Sequence, residues 1–537
     1  MKLSQETIKD TKEWEAAGFS LPQFDRETVT RATKEAPVWI HLGAGNIFRA
    51  FTANLQQTLL NEGKADRGII VAEGFDYEII EKMYKPKDNL SVLVTLKSNG
   101  TIEKTVVGSI VESIEMDSEN ETEWARLKEI FTAPSLQMVS FTITEKGYNL
   151  NAADGSYFPA VNADFAAGPA RPASYIGKLT ALLYERFMAG QLPVAMVSMD
   201  NCSHNGSRLF QAVDAYASAW TSGGLVEDGF QAYIENPQQV SFPWSMIDKI
   251  TPRPDDSVKE MLKKDGFEDV EAVVTGKNTY VAPFVNAEEP QYLVIENLFP
   301  NGHPALDEAG VIFTDKETVD KVEKMKVCTC LNPLHTALAV YGCLLGYDLI
   351  ADEMKDAQLA KLVEIIGYTE GLPVVVNPGI LDPKDFIDEV LQVRIPNPFM
   401  PDTPQRIATD TSQKLGIRFG ETIKAYAASD SLKISDLKLI PLVLAGWCRY
   451  LLAVDDHGAA FTPSSDPLLE SSMACLKNVS LGDSRDFHAD LSPLLSNPAI
   501  FGVDLYEVGL GSTVEALFAE LTAGPGAVRS TLKKYTV

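Results

Sequence analysis

Between Lys326 and His335 the chain reads Lys-Val-Cys-Thr-Cys-Leu-Asn-Pro-Leu-His, which gathers a lysine amine, the Asn332 amide and an imidazole within ten residues. Moving hydrogen on and off an alcohol calls for such a set. A lysine desolvated enough to lose its proton near neutral pH takes the hydroxyl proton, an amide N–H donates to the developing oxyanion, and an imidazole orients the hydroxyl. The same stretch also fits a purely local role. Asn332 reads as a helix N-cap, Pro333 as the first helical residue, and Leu334, Ala337, Leu338, Val340, Tyr341 and Leu344 as a face turned to a core.

A hydride acceptor would have to be held by other elements. Ala36-Pro-Val-Trp-Ile-His-Leu42 is a short buried-strand pattern that runs into Gly43-Ala-Gly-Asn-Ile-Phe-Arg49, and a helical pattern follows through Phe51, Leu55, Leu59 and Leu60. Strand, glycine turn and helix is the order of a dinucleotide-binding unit. Gly43 and Gly45 permit a tight turn and close approach of backbone N–H groups to a pyrophosphate, with Asn46, Phe48 and Arg49 beside it. Phe48 stands where the third small residue of G-x-G-x-x-G would be. The next strand, Gly68–Ala72, ends in Glu73-Gly-Phe-Asp76, so carboxylates fall where a ribose 2′-hydroxyl is bound. They would repel a 2′-phosphate, and no arginine lies in that turn, which favours NAD over NADP. Asp76 equally suits a helix N-cap ahead of Tyr77.

Composition narrows the setting. A chain of 537 residues that is 45% hydrophobic buries large cores and divides into domains. Its 47 Lys and Arg against 74 Asp and Glu leave a net charge of −27, which disfavours nucleic acid or an anionic membrane as partner. An anionic substrate would need a locally basic pocket. The N-terminus is polar, and no apolar run reaches the length of a transmembrane helix, so a cytoplasmic location is expected. The six cysteines include no C-x-x-C pair and no zinc-ligand spacing, H-E-x-x-H is absent, and no metal is expected.

Further strand-like runs lie at 106–111, 138–143, 194–199 and 292–295, with helical patterns between several of them. From about residue 310 the pattern turns helical, at 335–350, 357–368, 403–415, 436–453 and 513–522. The fold class read from this is α/β: an N-terminal Rossmann-like doubly wound sheet domain followed by a mainly α-helical C-terminal domain. The expected limits are a leader over 1–30 packing on the body, a dinucleotide-binding domain over 31–305 and a helical substrate domain over 306–537. The cleft between the two halves is the natural active site.

Three polar signatures stand at strand ends: Thr142-Ile-Thr-Glu145-Lys-Gly-Tyr148, Met199-Asp-Asn201-Cys-Ser-His204-Asn-Gly206 and Met246-Ile-Asp248-Lys-Ile-Thr-Pro252. With Leu21-Pro-Gln-Phe-Asp-Arg26, the Gly43–Arg49 turn, Ile395-Pro-Asn-Pro398, Asp402-Thr403, Arg406, Asp410 and Ile500-Phe-Gly-Val-Asp-Leu505, they resemble the polyol-specific long-chain dehydrogenase/reductase family across nearly the whole chain. The resemblance implies a zinc-independent oxidoreductase using NAD, with a lysine base in a K-x4-N-x2-H motif that maps onto Lys326, Asn332 and His335. Here one residue too many separates Lys326 from Asn332. At the α-helical 100° per residue the family spacing keeps the three side chains within an arc of about 140°, whereas this spacing puts Lys326 opposite His335. A π-bulge or irregular turn within 327–331, favoured by Pro333, would take up the extra residue.

The resemblance further implies a second oxyanion amide from Asn201, proton exchange with solvent at Glu145, and a substrate-hydroxyl ligand in Asp248. Locally, Asn201 also fits an Asx-turn, Glu145 a solvated loop, and Asp248 a surface turn. Arg406 and Lys414, read as two turns apart on one helix, offer cations to the substrate. The partner implied is a small sugar acid or polyol, bound by a monomer or small homo-oligomer. Reduction of D-fructuronate to D-mannonate is expected first, ahead of D-tagaturonate and of D-fructose. A non-catalytic sugar-acid-binding protein of the same fold is the alternative.

Overall fold

Four of the runs that read as strands, at 36–42, 68–72, 138–143 and 194–199, supply the central strands of one parallel sheet in the computed structural model, which describes residues 1–253 and 256–537. The sheet's six strands are β1 (Trp39–Leu42), β2 (Ile69–Glu73), β3 (Ile110–Glu115), β4 (Met138–Phe141), β5 (Val194–Ser198) and β6 (Val240–Ser241), in spatial order 3-2-1-4-5-6. Every pairing is parallel. This is the doubly wound dinucleotide-binding order, whose switch point lies between β1 and β4.

Parallel strands are covered on both faces, which is why they read as unbroken apolar runs. Successive residues feed two cores. Ile40, Leu42, Ile70, Ala72, Val139 and Phe141 enter one, with α1 (Tyr175–Met188) and α2 (Asn205–Ser222) packed over it. Trp39, Ile69, Val71, Met138, Ala195 and Val197 enter the other, beside Phe48, Phe51 and Leu59. A second sheet of the same unit orders Phe19–Ser20, Ile102–Val107, Ser91–Leu96 and Phe284–Glu288. Its edge ties down the N-terminal segment. Arg26, at the start of a helix capped by Asp25, donates to the carbonyls of Gly108 and Ile110 at 2.9 Å each. The run expected over 106–111 is thus two strands, broken at Gly108-Ser109.

The chain divides into two units, Met1–Asp320 and Lys321–Val537. The first extends past 305 because Ile312–Thr314 adds as a parallel strand to Tyr292–Glu296, which pairs antiparallel with Ser245–Asp248. The second unit is helical. Its centre is α3 (Asn332–Leu345), packed on α4 (Leu439–Tyr450), whose residues are all buried, and on the C-terminal helix Ala527–Tyr535. The Tyr341 hydroxyl donates to the Leu442 carbonyl at 2.7 Å, and the buried Glu370 carboxylate accepts from Lys438, Leu439 and Ile440 N–H at 2.7–2.8 Å, capping α4.

Two expectations are corrected. The helix expected over 403–415 is broken into a short helix Pro404–Ile407, a 3-10 turn Thr411–Gln413 and a π-helical segment Gly416–Gly420, with Asp410 in the left-handed region at φ +54°. Arg406 and Lys414 are therefore not two turns apart on one helix. One helical run, Lys316–Leu345, is also long and apolar enough to cross a membrane by length and composition, and 83% of its apolar window is buried in the fold. The run is that long because a π-helical turn fuses two shorter helices.

Gly43 shows how tightly the switch point is built. Its φ is +111°, and a Cβ there would fall inside the radius of the Thr142 carbonyl oxygen, which belongs to the neighbouring strand's exit. Gly43→Ala should destabilise the first unit by about 2 kcal/mol or more, from backbone strain and a clash that flexible side chains cannot relieve. Denaturant unfolding followed by tryptophan fluorescence measures this; a parent-like transition would mean that the turn relaxes freely.

Candidate active site

At the carboxyl ends of β1, β2 and β4 lies a cavity of about 660 Å³, lined in part by Gly43, Gly45, Glu73, Phe75, Asp76 and Thr144. A Cβ on Gly45 would meet nothing within 4 Å, so its flank is open to a ligand's close approach. Glu73 is buried and holds the rim together: one oxygen accepts from Ala44 N–H at 2.9 Å, the other from Phe75 and Asp76 N–H at 2.8 and 3.1 Å. Asp76 does not serve as a simple helix cap. Its Oδ2 accepts from the Thr275 hydroxyl at 2.6 Å, and Lys277 lies 4.1 Å from the Phe75 ring, so a distant hairpin straps the rim.

Asn46, Phe48 and Arg49 fall outside this lining. Phe48 is fully buried and stacks on His41 with ring centroids 4.0 Å apart. That packing explains a large residue at the third small position of the glycine motif. Arg49 is buried as well, donating to Ala282 O at 2.7 Å and to Asn46 Oδ1 at 2.8 Å. Both residues therefore carry the turn from beneath.

The exit of β4 is latched to that of β5. The buried Asp200 carboxylate accepts from Ile143 and Thr144 N–H at 3.0 and 2.8 Å and from the Tyr148 hydroxyl, which also meets Ser198 Oγ at 2.7 Å. Burial pushes the Asp200 carboxyl up, and these donors oppose the shift. The latch holds Thr144 at φ +64°, a conformation that a β-branched residue rarely adopts. Next to it Asn201 is exposed, Glu145 is exposed and ion-paired with Arg208 at 2.8 Å, and Asp248 is buried at the end of its strand.

In the second unit Lys326–Cys330 is π-helical. Leu331 N–H donates to the Lys326 carbonyl at 3.1 Å, five residues back, and α3 begins at Asn332. The expected irregular turn is thus present. It takes up one residue without advancing the helical phase, so Lys326 stands to His335 as at an eight-residue separation, about 80° of arc. Lys326 is 2% exposed. The local role suggested for Asn332 is overturned: it is the first residue of α3, and no side chain caps that end.

Half-buried His335 sits among charges. Desolvation is the main cause that lowers its imidazole to about 4; Asp402 opposes this, and Arg394, Arg418 and Arg406 add to it. Arg406 is exposed and paired with Asp402. Lys414 donates to the carbonyls of Ile407, at 3.3 Å, and Thr409, and its amine is held below the ordinary value by burial and then by Arg418. Despite the broken helix, Arg406 and Lys414 thus share one electrostatic neighbourhood. Nothing in the local sequence marked Arg394 or Arg418 as part of it.

The sequence profile of the mannitol dehydrogenase Rossmann domain matches residues 38–308, and that of the mannitol dehydrogenase C-terminal domain matches residues 318–520. The chain belongs to the mannitol dehydrogenase family. Within this family, the D-mannonate oxidoreductase of Thermotoga maritima is 54% identical over 99% of this chain and 99% of its own length. A mannitol 2-dehydrogenase of Cereibacter sphaeroides is 30% identical over 83% of this chain and 86% of its own. Among solved structures, a Pseudomonas fluorescens mannitol 2-dehydrogenase in ternary complex with NAD and D-mannitol superposes with a TM-score of 0.71 and 26% identity, covering 99% of both chains. The resemblance carried by the strand-end motifs and the fold class read from the sequence both hold for this mannitol dehydrogenase family member.

Two measurements follow from these geometries. Gly45→Ala should fold and melt like the parent, because its Cβ enters open space, yet weaken NADH binding at least about tenfold by blocking backbone approach; unchanged affinity in a fluorescence titration would remove the pyrophosphate from this turn. The second concerns pH. His335 and His41 have folded values near 4 and 3, against about 6.5 when unfolded. Between those limits the unfolded chain binds more protons, so stability falls as pH drops from 6.5. Thermal melts should show a lower Tm at pH 4.5 than at pH 7.5, with the gap narrowed in His335→Gln; an identical gap would mean that the imidazole titrates normally.

Proposed function

We propose that the chain is an NAD-dependent dehydrogenase that interconverts D-mannonate and D-fructuronate by lysine-based proton transfer, with no step through a metal. The observation that carries the acid substrate is Arg418, which acts on the His335 imidazole and whose Nε is sealed and without a partner among the described residues, on a protein whose net charge is −27. A guanidinium with a sealed, unpartnered Nε is costly to keep unless an anion is received. The full-length likeness to a D-mannonate oxidoreductase supports the same choice.

The first unit's cavity suits a dinucleotide: the open flank of Gly45 is a cradle that a Cβ would fill, and the Glu73–Asp76 rim lies where the adenosine ribose belongs. Bound there, NAD supplies the hydride acceptor. Lys326, as neutral amine, takes the proton of the substrate hydroxyl while the carbon gives up hydride, leaving a ketone and an ammonium. Asn332 donates from its amide to the oxygen as negative charge develops on it. His335 is neutral at physiological pH, because burial and the arginines disfavour imidazolium, and so is free to accept or donate one hydrogen bond with the hydroxyl. Asn201, Asp248 and Glu145 keep the roles of second amide, hydroxyl ligand and proton-exchange carboxylate, and Arg406 and Lys414 serve the substrate chain. In reduction every transfer reverses, and the lysine ammonium protonates the alkoxide.

The decisive assay follows NADH absorbance with D-fructuronate, D-tagaturonate and D-fructose in parallel. D-fructuronate should be consumed fastest, and Lys326→Ala should lower kcat about a thousandfold while leaving NADH binding intact. NADH binding without turnover of any of the three would favour the sugar-acid-binding alternative. Preference for D-fructose would assign a neutral polyol instead.

A further inference from the structure

Two buried arginines elsewhere in the protein are satisfied by backbone, whereas Arg49 donates from Nη1 to Ala282 O and from Nη2 to Asn46 Oδ1 and keeps an Nε without a partner among the described residues. Arg186 donates from all three nitrogens to five carbonyl oxygens, and Arg449 likewise spends each nitrogen on a carbonyl. Arg418 differs. Its Nη1 donates to Thr336 Oγ1 at 2.5 Å, while its Nε is sealed from solvent and has no partner among the described residues. No carboxylate pairs with it among the described residues, and burial lowers its guanidinium to about 10. Arg406, by contrast, is spent on Asp402, and Lys414 on two carbonyls.

The position of Arg418 is equally telling. It lies on the π-helical Gly416–Gly420, which packs against the π-helical turn that begins with Lys326. Thr336, which receives its Nη1, follows His335 directly and passes a hydrogen bond at 3.0 Å to the Asn332 carbonyl. With Nη1 engaged, the edge formed by Nε and Nη2 is the face left for a ligand. Two parallel N–H donors on one guanidinium edge match the two oxygens of a carboxylate.

Resting on the sugar-acid reading above, we infer that Arg418 is the residue that grips the substrate carboxylate, through its Nε and Nη2 edge, and so separates sugar acids from neutral polyols. Thr336 fixes the guanidinium plane, and Arg406 and Lys414 contribute field without the bidentate contact. A lysine in this position would keep the charge but lose the fork.

The test uses the full-length protein with saturating NAD and D-mannonate. Arg418→Gln should raise the KM for D-mannonate about 100-fold, with kcat changed less than about threefold and with NAD affinity and Tm like those of the parent. Arg418→Lys should fall between the two and keeps the variant series interpretable if the glutamine variant folds poorly. A KM unchanged in Arg418→Lys, or a loss confined to kcat, would overturn the assignment while leaving the sugar-acid reading standing. A parent enzyme that binds NAD yet neither oxidises nor binds D-mannonate would overturn both.

Discussion

The hydrogen bond from Leu331 N–H to the Lys326 carbonyl spans five residues, and the relative phase of Lys326 and His335 hangs on it. An α-helix closes that ring over four residues, so this turn stores one extra residue and restores the phase of whatever precedes it. Without it, Lys326 would present its amine to the side of the helix away from His335. With it, two helices join into one run, Lys316–Leu345, of which only the central turn is irregular. Three further π-helical segments in the second unit, Ile365–Gly371, Val390–Arg394 and Gly416–Gly420, hold Glu370, Arg394 and Arg418, the groups that cap α4 or charge the surroundings of His335. Wide turns of this kind move a side chain to a new azimuth while the helix continues.

The first unit meets a different constraint. A parallel sheet fixes its strands by backbone bonds along their lengths but leaves their exits to the loops, where the ligand must sit. Here each exit is anchored by a buried carboxylate: Glu73 gathers the N–H groups of the first turn and of its own, and Asp200 gathers those of the Thr144 loop. Both accept several N–H bonds, the arrangement that makes a buried carboxylate tolerable. Strain at Thr144 and the crowded Gly43 turn follow from bringing these exits together.

How much of this was legible beforehand depends on sequence distance. The four central strands of the parallel sheet could be read because burial on both faces leaves continuous apolar runs, whereas the two-residue edge strand Val240–Ser241 is too short to leave a pattern, and the wide turn at Lys326 could be read because the spacing to Asn332 and His335 is a matter of counting. Phe48 in a glycine motif became intelligible only through His41, since nothing local predicts a ring stacked beneath the turn. Asp76 was read as a ribose ligand or a cap, whereas its partner Thr275 lies 199 positions away, where no pattern reports contact. The helix expected across Arg406 and Lys414 failed for a physical reason: Asp410 takes a left-handed conformation that breaks the ladder, and its sequence does not demand this. Arg418 stands outside every motif read from the sequence, and nothing local marks its Nε as buried.

The burial of that guanidinium has a consequence for how ions reach the site. A chain with a net charge of −27 surrounds itself with a field that repels anions over distances comparable to the Debye length, about 10 Å at 0.1 M salt. Counter-ions weaken that outer field, but they screen a buried guanidinium far less. Repulsion during approach and attraction on arrival therefore answer to different variables. For an anion held as inferred above, ionic strength bears mainly on the encounter rate, and contacts inside the protein bear mainly on how long the complex lasts.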